Sequence, residues 1–278
     1  MGVHESPTRV YGVDFSASRD RSGEEMWIAE GVVENGFRVV EVAPATDWLG
    51  VDRPREDTLP ALTRFLGRRG PGTATGLDFP FGLPTKVTAA ETWPEFLRNF
   101  PSWADDPGDL SRESETRARL NGGGDATELL RATEEPLGAV SPYNERLRTE
   151  TFYGIRDVLR PLILADAVRA APMQDIDAAR PLLLEVYPTG TLERLDAHDL
   201  RYVGDGEDAR DRRAANLHLL ETAGVTVTDP VRATAMEDDD GNALDAVVSA
   251  VATYQHTRNC AELKTDDETR ALEGHIYV

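Results

Sequence analysis

The sequence predicts an α/β fold built on one mixed sheet. Short β-rich runs open the chain, two of them separated by Asn35-Gly36. A helical stretch then leads into a further short strand, and a long helix rich in Ala and Val follows near the end. Strands followed by helix-linked returns point to a sheet covered by helices.

Residues 9–15 read as a buried strand behind an arm, residues 1–8, that is expected to fray. Residues 26–34 and 37–42 are β-rich, and Asn35-Gly36 between them is a strong hairpin signal. The first three strands are therefore expected to be antiparallel. Residues 58–68 carry Leu59, Leu62, Phe65 and Leu66 at helical spacing, stopped by Gly70-Pro71-Gly72. Thr73 to Leu77 is then a strand returning parallel to the sheet, because a helical crossover is normally right-handed and parallel. Pro80 and Pro84 bracket a stiff loop. Residues 89–180 show no strand signal and read as helices broken by prolines and by Gly122-Gly123-Gly124, a helical insertion or lid. Leu182 to Val186 is a further short strand, 209–223 a helix, 225–227 a short strand, 242–254 the long helix, and 274–278 a closing strand. One domain, 9–278, with an insertion at about 89–180, accounts for the pattern.

At 278 residues and 40% hydrophobic, the chain can bury one large core, with or without a lobe. It has no apolar run of membrane-spanning length and no signal-peptide pattern in Met1-Gly2-Val3-His4-Glu5-Ser6-Pro7, so a cytoplasmic protein without a membrane partner is expected. The lone Cys260 excludes an intrachain disulfide and a cysteine-rich zinc site. Net charge is −20, and the bases are nearly all Arg, with Lys only at 86 and 264. A halophilic, salt-adapted surface explains that balance. At low salt it repels nucleic acid.

Four carboxylates break otherwise apolar or small-residue runs. Asp14 ends Val10-Tyr11-Gly12-Val13, Asp78 ends Ala74-Thr75-Gly76-Leu77, Glu185 follows three leucines, and Asp245 lies within Ala243-Leu244-Asp245-Ala246-Val247. Burying a carboxylate is costly unless something pairs with it, and one divalent cation can pair with several. Metal-assisted chemistry on a phosphate ester is the expectation. Each residue also has a plain structural reading: an Asx turn for Asp14, a turn aspartate for Asp78, a buried Glu–Arg pair for Glu185. Asp240 or Asn242 is expected to cap the last long helix, with Asp245 too deep for that role. Ser16 and Ser18 can orient phosphate oxygens. So can Arg148, whose segment Arg146–Glu150 otherwise reads as a solvated, ion-paired helix face. Phosphate-binding GxxxxGK[ST] and GxGxxG motifs, the GxSxG nucleophile elbow and close zinc spacing among His4, His198, His218, His256 and His275 are absent.

Val13-Asp14-Phe15-Ser16, Gly76-Leu77-Asp78-Phe79-Pro80-Phe81-Gly82-Leu83-Pro84, Glu185-Val186-Tyr187-Pro188, Ala243-Leu244-Asp245-Ala246 and the terminal Glu273-Gly274-His275-Ile276 occur in the order seen in the domain-of-unknown-function 429 family. The chain resembles that family over residues 10–278, least in the middle third. Its members are regarded as predicted nucleases of the RNase H-like superfamily. The resemblance implies an RNase H-like mixed sheet, three antiparallel opening strands and then parallel ones, with helices on both faces. It further implies that Asp14 bridges metal, with Asp78 and Asp245 as the other acidic ligands and Glu185 in the family's Glu-x-x-Pro motif. The expected activity is phosphodiester hydrolysis with two Mg²⁺ or Mn²⁺ ions about 3.5–4 Å apart. Two alternatives stand beside it. One is a protein of the same fold binding a nucleotide or another small phosphorylated ligand, as in actin-like and sugar-kinase relatives. The other is a non-catalytic interaction protein, which predicts dispersed acids.

Overall fold

The structure is a computed structural model that describes residues 6–122, 126–197 and 201–278. Most of the expected N-terminal arm, His4, Gly123, Gly124 and His198 lie outside the described residues.

A single mixed sheet organises the chain. Its strands are β1 (Arg9–Asp14), β2 (Trp27–Val33), β3 (Phe37–Pro44), β4 (Thr73–Leu77), β5 (Arg169–Ala170), β6 (Leu182–Val186), β7 (Val225–Val227) and β8 (Ile276–Tyr277). Their order is β5-β6-β4-β1-β2-β3-β7. β5 and β8 share the far edge of β6, pairing with Leu182-Leu183 and Glu185-Val186 respectively. β1, β2 and β3 are antiparallel and every other pairing is parallel. The Asn35-Gly36 hairpin forms as expected, with Gly36 at φ +135°, a conformation that favours glycine. β5 corrects the expectation of an entirely helical 89–180 segment. At two residues it is too short for periodicity to reveal, and only its pairing with β6 defines it.

Helices cover both faces. The first face carries α1 (Ser22–Glu25), α2 (Ala45–Leu49), α3 (Arg55–Gly67), α4 (Trp93–Asn99), α5 (Pro107–Asn121), α6 (Arg148–Tyr153) and α7 (Arg160–Leu164), with a π turn, Gly154–Leu159, joining the last two. Their apolar sides meet Tyr11, Val13, Ile28 and Leu77 in one core. Then come α8 (Pro188–Arg194), α9 (Glu207–Thr222), α10 (Asp229–Glu237), α11 (Asn242–Thr257) and α12 (Glu268–Glu273). On the second face α9, α10 and α11 pack on Val10, Ala29 and Val39 through Leu217, Leu220, Val231, Val247 and Val251. Among the described residues no helix is long and apolar enough to cross a membrane.

Two strand glycines set how closely α11 lies on the sheet. A Cβ on Gly12 would overlap the backbone of Ala246 and Ala250, and one on Gly76 would overlap Thr253. Strand side chains alternate between faces, so Val10, Gly12 and Asp14 share the α11 side while Tyr11 and Val13 face the other core. The near-contact at Gly12 therefore brings the start of α11 down beside Asp14.

Candidate functional site

Asp14 closes β1, opposite Trp27 of β2. Asp78 follows β4 immediately, and its N–H donates to the Val13 carbonyl at 3.1 Å. Asp245 lies in the first turn of α11. All three sit at the carboxyl ends of parallel strands or directly above them, where open α/β sheets place their ligands. Each is partly exposed. Among the described residues neither Asp14 nor Asp78 has a hydrogen-bond or ion-pair partner for its carboxylate. Asp245 accepts a bond from the Tyr202 hydroxyl at 2.7 Å.

Their electrostatics follow from that isolation. Burial holds the Asp14 carboxyl well above the usual carboxylate range, and Asp245, Asp78, Asp238 and Glu150 add to it in that order. Asp78 is raised in the same direction, first by burial, then by Asp245, Glu185 and Glu150. Burial pushes Asp245 up to about 7; the Tyr202 bond opposes this and Asp238 adds to it. Tyr202 is itself raised, by burial and then by Asp245. Asp245 and Asp78 thus add to the shift of Asp14, and Asp245 to that of Asp78.

Glu185 stands elsewhere. On β6, Leu182, Leu184 and Val186 face one side, while Leu183 and Glu185 face the core of Tyr11 and Leu77. There the Arg131 guanidinium grips both Glu185 oxygens and also binds Glu134. The Phe81 N–H donates to Glu185 Oε2 at 2.9 Å, and Arg131 Nη1 reaches the Glu273 carbonyl at 2.9 Å. Glu185 and Arg131 are buried and locked together, which is the structural reading that the sequence left open for this glutamate.

The remaining expected residues divide. Ser16 Oγ donates to Glu25 at 3.2 Å and accepts from the Ser18 N–H at 3.2 Å, stiffening the loop after Asp14. Asp14, Ser16, Arg21, Glu25, Asp240 and Asn242 line a recess of about 400 Å³. Arg148 opens α6, and among the described residues its side chain makes no hydrogen bond or ion pair with Asp14, Asp78, Glu185 or Asp245. Its near neighbour Glu150 is the α6 residue that reaches Asp14 and Asp78 electrostatically. The cap of α11 is neither Asp240 nor Asn242. Gly241 takes the N-cap position with φ +81°, and Asp238 Oδ2 accepts from the Ala243 N–H at 2.7 Å. Asp238, Glu150 and Tyr202 thus act on the three aspartates without having been singled out as candidates of their own. The acidic run Glu237–Asp240 and the Arg146–Glu150 segment carried a signal for the first two, whereas nothing local marks Tyr202.

Oxygen donors without a protein cation suit Mg²⁺ or Mn²⁺, and Asp14, Asp78 and Asp245 supply that donor chemistry. Among the described residues no group of three or more His, Cys, Asp or Glu side chains stands in a ready metal-holding arrangement. Comparison of the chain with protein-family models, curated proteins and solved structures finds no match. The family resemblance accordingly rests on the short motifs alone.

Proposed function

We propose that the protein is a divalent-metal-dependent phosphodiester hydrolase on an RNase H-like framework, a nuclease in the broad sense. One observation supports the reading: Asp14 ends β1 and Asp78 follows the adjacent parallel β4, neither carboxylate with a hydrogen-bond or ion-pair partner among the described residues, and Asp245 raises both electrostatically from the first turn of α11. Carboxylates held this way disfavour their own charge, and a divalent cation relieves the penalty. Asp14, Asp78 and Asp245 would hold the cation. Glu185, committed to Arg131, supports the loop that carries Phe81 and lies outside the ligand set. A bound ion supplies charge stabilisation at the scissile phosphate and a water of lowered pKa. Of the chain's own groups that line the recess, Ser16 and Arg21 would orient phosphate oxygens on leaving their present partners Glu24 and Glu25.

A second reading has a specific observation behind it. The recess beside Asp14, about 400 Å³, suits one nucleotide-sized ligand better than a duplex. Urea unfolding of chelated protein, with and without Mn²⁺, tests the metal reading on wild type and Asp14→Asn. The expected result is a rise in midpoint with metal that Asp14→Asn removes. No rise in wild type overturns it. Hydrolysis of single- and double-stranded DNA and RNA, compared with nucleotide hydrolysis, then separates the two substrate classes.

A further inference from the structure

A second concavity lies apart from the recess at Asp14. It is an open cleft of about 1240 Å³ between α3, the loop after β1 and the α6–α7 segment. Arg19, Arg55, Arg64, Arg156 and Arg160 line it, against three acids, Asp20, Glu56 and Asp157. In a chain of net charge −20 this is a local reversal of sign.

The arginines are of two kinds. Three are fixed in place. The Arg55 guanidinium lies 3.5 Å over the Tyr153 ring and donates to the Ala17 carbonyl at 2.8 Å. Arg156 lies 4.8 Å from the same ring and pairs with Asp157 at 2.7 Å. Arg160 donates to the Leu97 carbonyl at 3.1 Å. Arg19 and Arg64 are exposed, and among the described residues neither makes a side-chain hydrogen bond or ion pair. With Asp157 taken by Arg156, the cationic donors outnumber the acids left to meet them.

The cleft also adjoins the carboxylate site through two short segments. The loop after β1 carries Asp14 and Ser16 at one end and Arg19 at the other, tied in its middle by Arg55 to Ala17. On α6, Thr149 and Tyr153 line the cleft while the intervening Glu150 is felt electrostatically by Asp14 and Asp78.

We propose that this arginine cleft binds phosphate-ester anions, holding phosphates that flank the group presented to Asp14 and Asp78. Guanidinium groups donate in a planar fork that matches phosphate oxygens, and pre-placed ones lose little entropy on binding. The inference builds on the hydrolase reading for its purpose, but the binding it describes depends on the arginines and needs no metal.

The test separates the two. Binding is measured in chelator by fluorescence anisotropy on the full chain, using a labelled single-stranded oligonucleotide. ATP and inorganic pyrophosphate are competitors, over a salt series. Wild type is compared with Arg19→Glu/Arg64→Glu and with Arg38→Glu, an exposed arginine of β3 that does not line the cleft, and circular dichroism confirms folding. Both arginines are exposed, so the double variant is expected to fold. Wild type and Arg38→Glu should bind alike. The double variant should bind at least about tenfold more weakly, with a log–log salt slope shallower by about 1.4 for a single strand, at about 0.7 per phosphate contact. Tight oligonucleotide binding with weak competition identifies a strand as the ligand; efficient competition by ATP or pyrophosphate identifies a nucleotide polyphosphate. Wild type that binds none of the three, or a double variant that binds as wild type, overturns the cleft. Binding that persists without any metal-dependent hydrolysis by wild type would overturn the hydrolase reading and leave the cleft standing.

Discussion

Replacing Asp245 by Asn should stabilise the metal-free protein, and only at the upper end of the pH range. The Asp245 carboxyl is pushed up to about 7 from an ordinary value of 3.8, by burial first and with Asp238 adding. Between these values the folded state holds a proton that the unfolded chain has released, so stability falls as pH rises. The favourable contribution is complete below about pH 4 and lost once pH passes about 7. A shift of about three pH units at ~1.4 kcal/mol each corresponds to about 4 kcal/mol. Asn carries no charge, and its Oδ1 still accepts from the Tyr202 hydroxyl, so packing and that bond survive. Urea unfolding in chelator from about pH 5 to pH 8 should show the variant gaining on wild type as pH rises, by about 3 kcal/mol, since about two of those three units lie above pH 5. Asp211→Asn on the exposed side of α9 is the control for removing any one negative charge from a chain at −20. If Asp245→Asn and wild type differ by a constant across that range, the carboxylate is not strained and the reasoning from isolation fails.

Further outcomes follow from the same geometry. Gly12→Ala drives a methyl into the α11 backbone at Ala246 and Ala250 and should lose about 1–3 kcal/mol or more, read as a lower urea midpoint; an unchanged midpoint means α11 is not seated as described. Arg131→Met strands Glu185 and Glu134 in the core and should lose about 3–5 kcal/mol, whereas a loss below about 1 kcal/mol would show that the pair is solvated. Stabilisation by Mn²⁺ should grow with pH across the window in which Asp245 titrates, since the ion binds the deprotonated carboxylate. A pH-independent gain in unfolding midpoint would place the ion elsewhere.

Much of this was legible because it is periodic or punctuated. The Asn35-Gly36 hairpin, the Leu59–Leu66 helical face and the Ala/Val-rich α11 each announce themselves within a dozen residues. Asp14, Asp78 and Asp245 were legible for a different reason, as charges that interrupt apolar segments. Glu185 met the same criterion, yet it occupies a different place. An interrupted apolar run shows that a carboxylate needs a partner without saying which. On β6 the two-residue alternation turns Glu185 toward Arg131, a residue 54 positions away in a segment with no strong pattern. Strand parity counted from Leu183 indicates the face, but the partner is a tertiary fact. Tyr202, Asp238 and two-residue β5 are of the same kind, defined by what lies opposite them.

Net charge and the local field of the cleft differ in sign. At −20 the chain reads as hostile to phosphates, but over a Debye length of about 8–10 Å a ligand feels the nearest side chains and little of the far surface. In the cleft those are arginines from the loop after β1, α3 and the α6–α7 segment, gathered only by folding. Choice of base matters as well. In concentrated salt a point charge is screened, so an ammonium group loses most of its hold on a phosphate. A guanidinium retains its forked hydrogen bonds and its stacking, both short-ranged. A chain whose only lysines are Lys86 and Lys264, neither of them in the cleft, and which fixes Arg55 and Arg156 about Tyr153, has the anion-binding chemistry that survives such conditions. Under the proposed readings the acidic surface and the arginine cleft would answer one physical demand, the first keeping the fold hydrated and the second keeping a phosphate within reach of Asp14.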